Sequence, residues 1–284
     1  MSKESATIYP LVLNQSNVIS NGSLNNIYRY NFPGSATFQN AKIAVSNVQI
    51  YYSWQNINTY YSNNQFSIIL PTAATTATLS ITIPNGSYSV ADLNAYVQSQ
   101  LVSNNYYLID SNGNYVYYVE FAENAVRYSI QLNLFPVPTV LPADWTNPGW
   151  TLPTSTLTPQ VVIPSTNIQT LLGFAAGTYP TVAQATAYSI LSTSTPQLSP
   201  VSSVILGCNL VNNKLANPRS TIYSFSPGGV TYGELIQASA YQYSWVDIQD
   251  GTYASVDITF YDQNFSGLQI IDTNLVIFLL VKMT

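Results

Sequence analysis

Histidine is absent from the 284 residues, and charged side chains make up only 7% of them. Without an imidazole no Ser–His–Asp relay can be built, and the commonest metal ligand is missing. The basic residues stand singly at Lys3, Arg29, Lys42, Arg127, Lys214, Arg219 and Lys282. No basic run exists to release counterions from a phosphate backbone, and the net charge is −5, so specific nucleic-acid binding is not expected. Cys208 is the one cysteine. It cannot form an intrachain disulfide, it sits in the apolar run VILGCNL, and it reads as a buried thiol with no sign of an oxidising compartment. The opening MSKESATIYP lacks the apolar stretch of a signal peptide, and no run is long and apolar enough to span a membrane. Without export, the NQS and NGS sequons near the start carry no meaning. Neither GxxxxGK[ST] nor GxGxxG occurs, so no nucleotide cofactor is expected.

What is present is polar without being charged. Ser, Thr, Asn, Gln and Tyr fill the polar positions, while 46% of the chain is hydrophobic. A lone soluble protein ordinarily carries more surface charge. A surface that meets other protein does not need it. The 23 tyrosines suit both strands and interfaces, because each combines apolar area with a polar tip.

Along the chain, residues 1–8 read as a polar arm. YPLVLN, NIYRYNF, AKIAVSNVQIYYSW and Gln65–Leu70 alternate as strands, and TAATTAT (72–78) reads as a soft loop. Leu79–Ile83 is a strand stopped by Pro84, Asn85 and Gly86. A helix then begins: Ser89 is a good N-cap, Asp92 stands three residues on, and Val90, Leu93, Val97 and Leu101 form one apolar stripe. The expected role of that helix is to cover an open end of a sandwich. The Asn-Gly at 112–113 marks a hairpin, and residues 115–134 read as a meander. Seven prolines then punctuate Phe135–Pro164, which also holds Trp145 and Trp150. Such a stretch cannot be sheet interior, and its tryptophans are expected to pack it. IQTLLGF (168–174) reads as at least one helical turn, and Thr181–Pro200 as a ribbon on the surface. Strands resume from Val201. The last of them, NLVIFLLV, is apolar at both parities, as in a strand buried on both faces or central to a sandwich.

The expectation is an all-β antiparallel β-sandwich, a single jelly roll with one short helix. Residues 9–134 and 201–284 build it, and 135–200 form a long Pro/Thr-rich insertion or projection.

Few residues offer chemistry. Glu120 and Glu123 are close enough to suggest the paired carboxylates of a glycosidase, but they lie at a hairpin edge, where a solvated role is expected. Asp247, Asp250, Asp257 and Asp262 form the one acidic cluster; their spacing matches no EF-hand loop, and turn formation accounts for them. No catalytic, cofactor-binding or metal residue is therefore assigned, and the chain does not read as an enzyme.

Several phrases, in order, resemble one family. IPNGSYSVADLNAYVQSQL, YVEFAENAVRYSIQL, NIQTLLGF, TPQLSPVSSVILGCNLVNN and ITFYDQNFSGLQIIDTNLVIFLLV are similar to the penton-type minor capsid proteins of virophages, polinton-like elements and related large icosahedral DNA viruses. The resemblance runs from about residue 24 to the end. It implies a one-jelly-roll subunit, five copies of which form the capsomer at a virion's fivefold vertex, assembled inside the host cell. A trimeric major capsid protein with two jelly rolls would surround it, with other minor capsid proteins or a host receptor as further partners. The family supplies no active residues. The expected structural and interface residues are Arg29, Arg127 and Arg219, as cross-subunit partners for carboxylates, with Tyr88, Leu93, Val97, Trp145 and Trp150 in packing. Two other roles share the low charge: a glycan- or receptor-binding jelly-roll protein of the capsid surface, and a cement protein between major capsomers.

Overall fold

The computed structural model of the chain describes residues 6–199 and 201–283; of the expected arm, residues 1–5 lie outside them. In chain order come the strands β1 (Thr7–Asn14), β2 (Val18–Ile19), β3 (Ile27–Phe38) and β4 (Lys42–Tyr51). Then follow β5 (Gln65–Thr72), β6 (Thr75–Thr82), the helix α1 (Val90–Ser103), β7 (Leu108–Ile109), β8 (Tyr115–Val116), β9 (Val119–Asn124) and β10 (Ser129–Leu134). Next are β11 (Gln160–Ile163), the short helix α2 (Ile168–Leu172), β12 (Gly177–Tyr179) and β13 (Tyr188–Leu191). The chain ends with β14 (Val204–Cys208), β15 (Thr221–Phe225), β16 (Leu235–Ser239), β17 (Val246–Asp247), β18 (Gly251–Tyr261) and β19 (Val276–Met283). The chain divides into two compact units, residues 1–54 with 201–284, and residues 55–200.

The first unit is the jelly roll. One sheet runs β1-β19-β4-β16, with β17 also on β4; the other runs β15-β14-β18-β3-β2, and every pairing is antiparallel. The first strand thus pairs with the last, β3 with β18, β4 with β16, and β14 with β15, the nested order of a two-sheet jelly roll. Alternation along each strand sends one set of side chains inward. Ile43, Val48, Ile277 and Leu279 of one sheet share a core with Tyr28, Leu206, Ile258 and Phe260 of the other. Tyr28 and Phe260 meet edge to face at 5.8 Å. Cys208 lies in this core, and burial pushes its thiol up to about 12, so it stays protonated and inert.

The second unit occupies the connection between β4 and β14, and it is larger than the insertion expected at 135–200. The expected boundary at 134/135 gives way to one at 54/55, because the strands from Gln65 to Leu134 bury their apolar faces in a core of their own. Its sheets run β12-β11-β5-β6 and β13-β10-β9, with β7-β8 as a small hairpin. The expected loop at 72–78 holds the last residue of β5, a two-residue connection and the start of β6, which pairs with β5 from Thr75. The expected ribbon at 181–200 contributes β13, which pairs with β10. The Pro-rich stretch is not a separate projection: Val137 bridges to Leu157, Ile109 to Thr146, and Trp150 is buried in the same core as Phe66 and Leu132.

Helix α1 belongs to this second core, where it lies against β9. Val90, Leu93, Val97 and Leu101 are its buried residues, the stripe legible in the sequence. The capping box is closed: Ser89 Oγ accepts from Asp92 N–H at 3.1 Å, and Asp92 Oδ2 accepts from Ser89 N–H at 3.0 Å and from its hydroxyl at 2.6 Å. Those donors hold the Asp92 carboxyl below the usual carboxylate range. The folded value is depressed, so the contribution is present above the unfolded value, roughly 3.9, and disappears as pH falls through the folded one. Ser89→Ala should therefore cost about 1 kcal/mol at neutral pH. Urea titrations of both proteins should show the gap narrowing in acid; a gap independent of pH would contradict this account.

Candidate assembly surface on the jelly-roll unit

In β19 the odd residues Ile277, Leu279 and Val281 enter the core, which sends Val276, Phe278, Leu280 and Lys282 to the other face. Register extends that outer face across the sheet. Val12 stands opposite Phe278, Pro10 opposite Leu280 and Ile8 opposite Lys282. On the other side, Phe278 faces Asn47 and Val276 faces Gln49, which in turn faces Gln237; Leu235 faces Tyr51. Ile8, Val12, Phe278 and Leu235 are 49%, 42%, 37% and 38% exposed. The centre of this face is aliphatic and aromatic, flanked by amides and hydroxyls; Asn47 Nδ2 donates to Ser239 Oγ at 2.7 Å.

Charge sits only at one end of the face. Lys42 pairs with Asp247 at 2.9 Å, and the Lys282 ammonium lies 5.9 Å from the centre of the Trp245 ring. At the opposite end is an open cleft of about 510 Å3, lined among others by Asn14, Gln49, Tyr51, Leu235, Asn274 and Val276. It contains no charged group. Such a surface can exclude water against a complementary protein surface and form neutral hydrogen bonds at its rim. It holds no acid–base pair and no set of metal ligands.

The residues expected from sequence fall elsewhere. Arg29 stands opposite Asp257 in the β3–β18 register, and its Nε and Nη2 donate to the two carboxylate oxygens at 2.7 and 2.6 Å, with the side chain 44% exposed. Arg127, at the end of a 3-10 turn, and Arg219, in the loop before β15, are exposed, and neither forms an ion pair among the described residues. Leu93 and Val97 are fully buried under α1. Tyr88 is partly buried in the second unit; its N–H donates to Asn56 Oδ1 at 2.9 Å and its ring covers Gly86, where a Cβ would stand 2.7 Å from the ring. Trp150 is 3% exposed and meets Tyr106 and Tyr118 edge to face, and Trp145 packs against the same core. None of these eight residues lies on the outer face of the β1-β19-β4-β16 sheet.

The carboxylates have local roles. Glu120 accepts from Asn133 Nδ2 at 2.9 Å. Asp250 accepts from the Asn40 N–H, and Asp262 from the N–H groups of Asn264 and Ser266, while Asp247 and Asp257 are in the ion pairs already described. Among the described residues no group of three or more Asp, Glu or Cys is placed to hold a metal. Sequence reasoning missed Ile8, Val12 and Phe278, although the signal was there: NLVIFLLV is apolar at both parities, and only one parity fits inside a two-sheet core.

No family model matches the chain, and no curated protein sequence does. Two solved structures align with it along almost their whole length. One is the crystal structure of the selenomethionine-labelled mavirus penton protein, at 6% identity and a TM-score of 0.44, covering 99% of this chain and 99% of that one. The other is a chain of the Sputnik virophage structure determined by cryo-electron microscopy, at 11% identity and a TM-score of 0.37, covering 99% of this chain and 98% of that one.

Proposed function

We propose that this chain is a structural capsid protein, without catalysis or cofactor, whose jelly-roll unit packs against copies of itself in a ring of five at the fivefold vertices of an icosahedral virion. The observation that carries the proposal is the open apolar face of β19. A central strand apolar at both parities is normally covered on both sides. Here one side meets the jelly-roll core, and Val276, Phe278 and Leu280 on the other meet no element of the unit closely enough to bury them. A contiguous exposed apolar patch marks a contact site, and a chain with 7% charge is suited to permanent contact with protein. The number five, the vertex location, assembly in the host cell and the double-jelly-roll major capsid protein as surrounding partner come from the resemblance of the quoted segments. A ring uses heterologous contacts, so this face meets a different surface of the next copy.

The test is a reconstruction of the virion that carries this chain. Density for the chain in fivefold rings at the vertices supports the proposal. Density between major capsomers away from the vertices replaces it with the cement role, and its absence from the particle sinks it.

A further inference from the structure

Strand β6 is the free edge of the β12-β11-β5-β6 sheet. Its ladder to β5 decides which backbone groups are used. Ile83 N–H donates to Asn64 C=O at 2.8 Å, so residues 83, 81, 79, 77 and 75 point their backbone groups at β5. Thr76, Thr78, Ser80 and Thr82 point theirs away. The carbonyl of Thr82 accepts the Tyr96 hydroxyl at 2.7 Å. The N–H and C=O groups of Thr76, Thr78 and Ser80 have no partner among the described residues, and all three residues are exposed.

Natural edges are guarded by charge, proline, bulges, short length or cover, and the other long edges here are guarded. β1 carries Pro10 at its centre, the 3-10 turn at Gln15–Asn17 and β2 lie along β3, and on β9 the Phe121 N–H is taken by Asn94 Oδ1 at 3.0 Å. β12 and β13 span three and four residues. β6 has eight residues, TTATLSIT, with no charge, no proline and no break in register.

We infer that the free edge of β6 is a strand-pairing site for the β6 of a second copy, in antiparallel orientation about a two-fold axis at Thr78. The register follows from the unused groups. Centring on Thr78 pairs Thr76 with Ser80 and Ser80 with Thr76, so the three open residues satisfy one another and Thr82 keeps its bond to Tyr96. No like charges meet, and the facing residues are hydroxyl pairs, which are favourable across strands. On the core side, Leu79 of one copy falls beside Ala77 of the other and extends the apolar face. A two-fold contact cannot close a ring of five, so this site is not the contact that would close the ring. It stands independently of the ring proposal.

The test uses the full chain carrying Thr78→Cys. Directly opposed residues of a hydrogen-bonded pair have Cα atoms about 5.5 Å apart, within disulfide reach. With diamide accepting the two thiol hydrogens, the variant should give a covalent dimer rapidly, while Thr181→Cys, exposed but off this edge, should not; the native Cys208 is buried. Thr78→Lys, at an exposed position, should halve the native mass without changing the fold. Equal cross-linking of the Thr78→Cys and Thr181→Cys chains overturns the inference, as does cross-linking of Thr78→Cys in particles to a chain of another mass. Even-numbered association without rings of five, abolished by Thr78→Lys, supports the inference and removes the ring. Rings of five whose mass is the same with Thr78→Lys do the reverse.

Discussion

Trp150→Ala should destabilise the unit of residues 55–200 by about 3–5 kcal/mol and leave the jelly roll intact. The indole fills the second core, meets Tyr106 and Tyr118 at 5.6 and 5.5 Å between ring centres, and donates from Nε1 to the Pro71 carbonyl at 3.1 Å. Removing it leaves a large cavity and a buried carbonyl without that donor. It also releases the Pro-rich segment, whose other ties include the bond from Asn147 Nδ2 to the Trp150 carbonyl. Hydrogen exchange resolves the effect by region. Amides of β5, β10 and α1 should lose protection, while those of β4, β18 and β19 keep theirs, because the two sets of strands bury their side chains in different clusters. Equal loss of protection in both sets would show that the units share one cooperative core.

Phe278→Asp should abolish the ring while leaving the monomer folded. Phe278 points outward from the centre of the sheet, between Val12 and Asn47, so a carboxylate there remains solvated in the separate chain. Surface changes of that kind usually alter stability by about 0.5 kcal/mol or less. In the assembled state the same carboxylate would be buried against apolar surface without a partner, at a cost of several kcal/mol per contact. Sedimentation velocity should therefore show the wild-type ring replaced by species no larger than the dimer joined at the β6 edge, with circular dichroism unchanged, and Phe278→Leu should retain the ring. A ring unaffected by the aspartate would place the contact elsewhere on the molecule.

The two variants separate what could be read from the sequence from what could not. Helix α1 was legible because its signals are local: a capping box within four residues and a stripe at helical spacing. What the stripe packs against was not, because an apolar stripe names no partner. The same holds for the domain boundary. Alternation shows that a strand has a core face, but β3 and β5 alternate alike, and only their pairing with β18 and with β11 assigns them to different cores. Arg29 finds its partner 228 residues away, beyond any local pattern. The first half of β6, Thr75–Thr78, reads as a loop because an edge strand rich in Thr and Ala carries little hydrophobic signal, whereas its second half was legible in Leu79–Ile83. The Pro-rich stretch lacks strand periodicity, yet Trp150 and Val137 bury themselves as core residues do.

The outer face of the jelly roll is the middle case. Its apolar residues are visible in NLVIFLLV and in YPLVLN. That they remain open needed the topology, which puts β19 between β1 and β4 with no third layer from its own unit over it. Low charge across the chain and an open apolar sheet at one place are the two observations on which the proposed contact with protein rests.

The most direct test is the native mass of the purified full chain over a range of concentrations. The account predicts particles built from whole multiples of five 31.2 kDa chains, persisting on dilution. A chain that stays monomeric at high concentration, with its jelly-roll face in water, would contradict it.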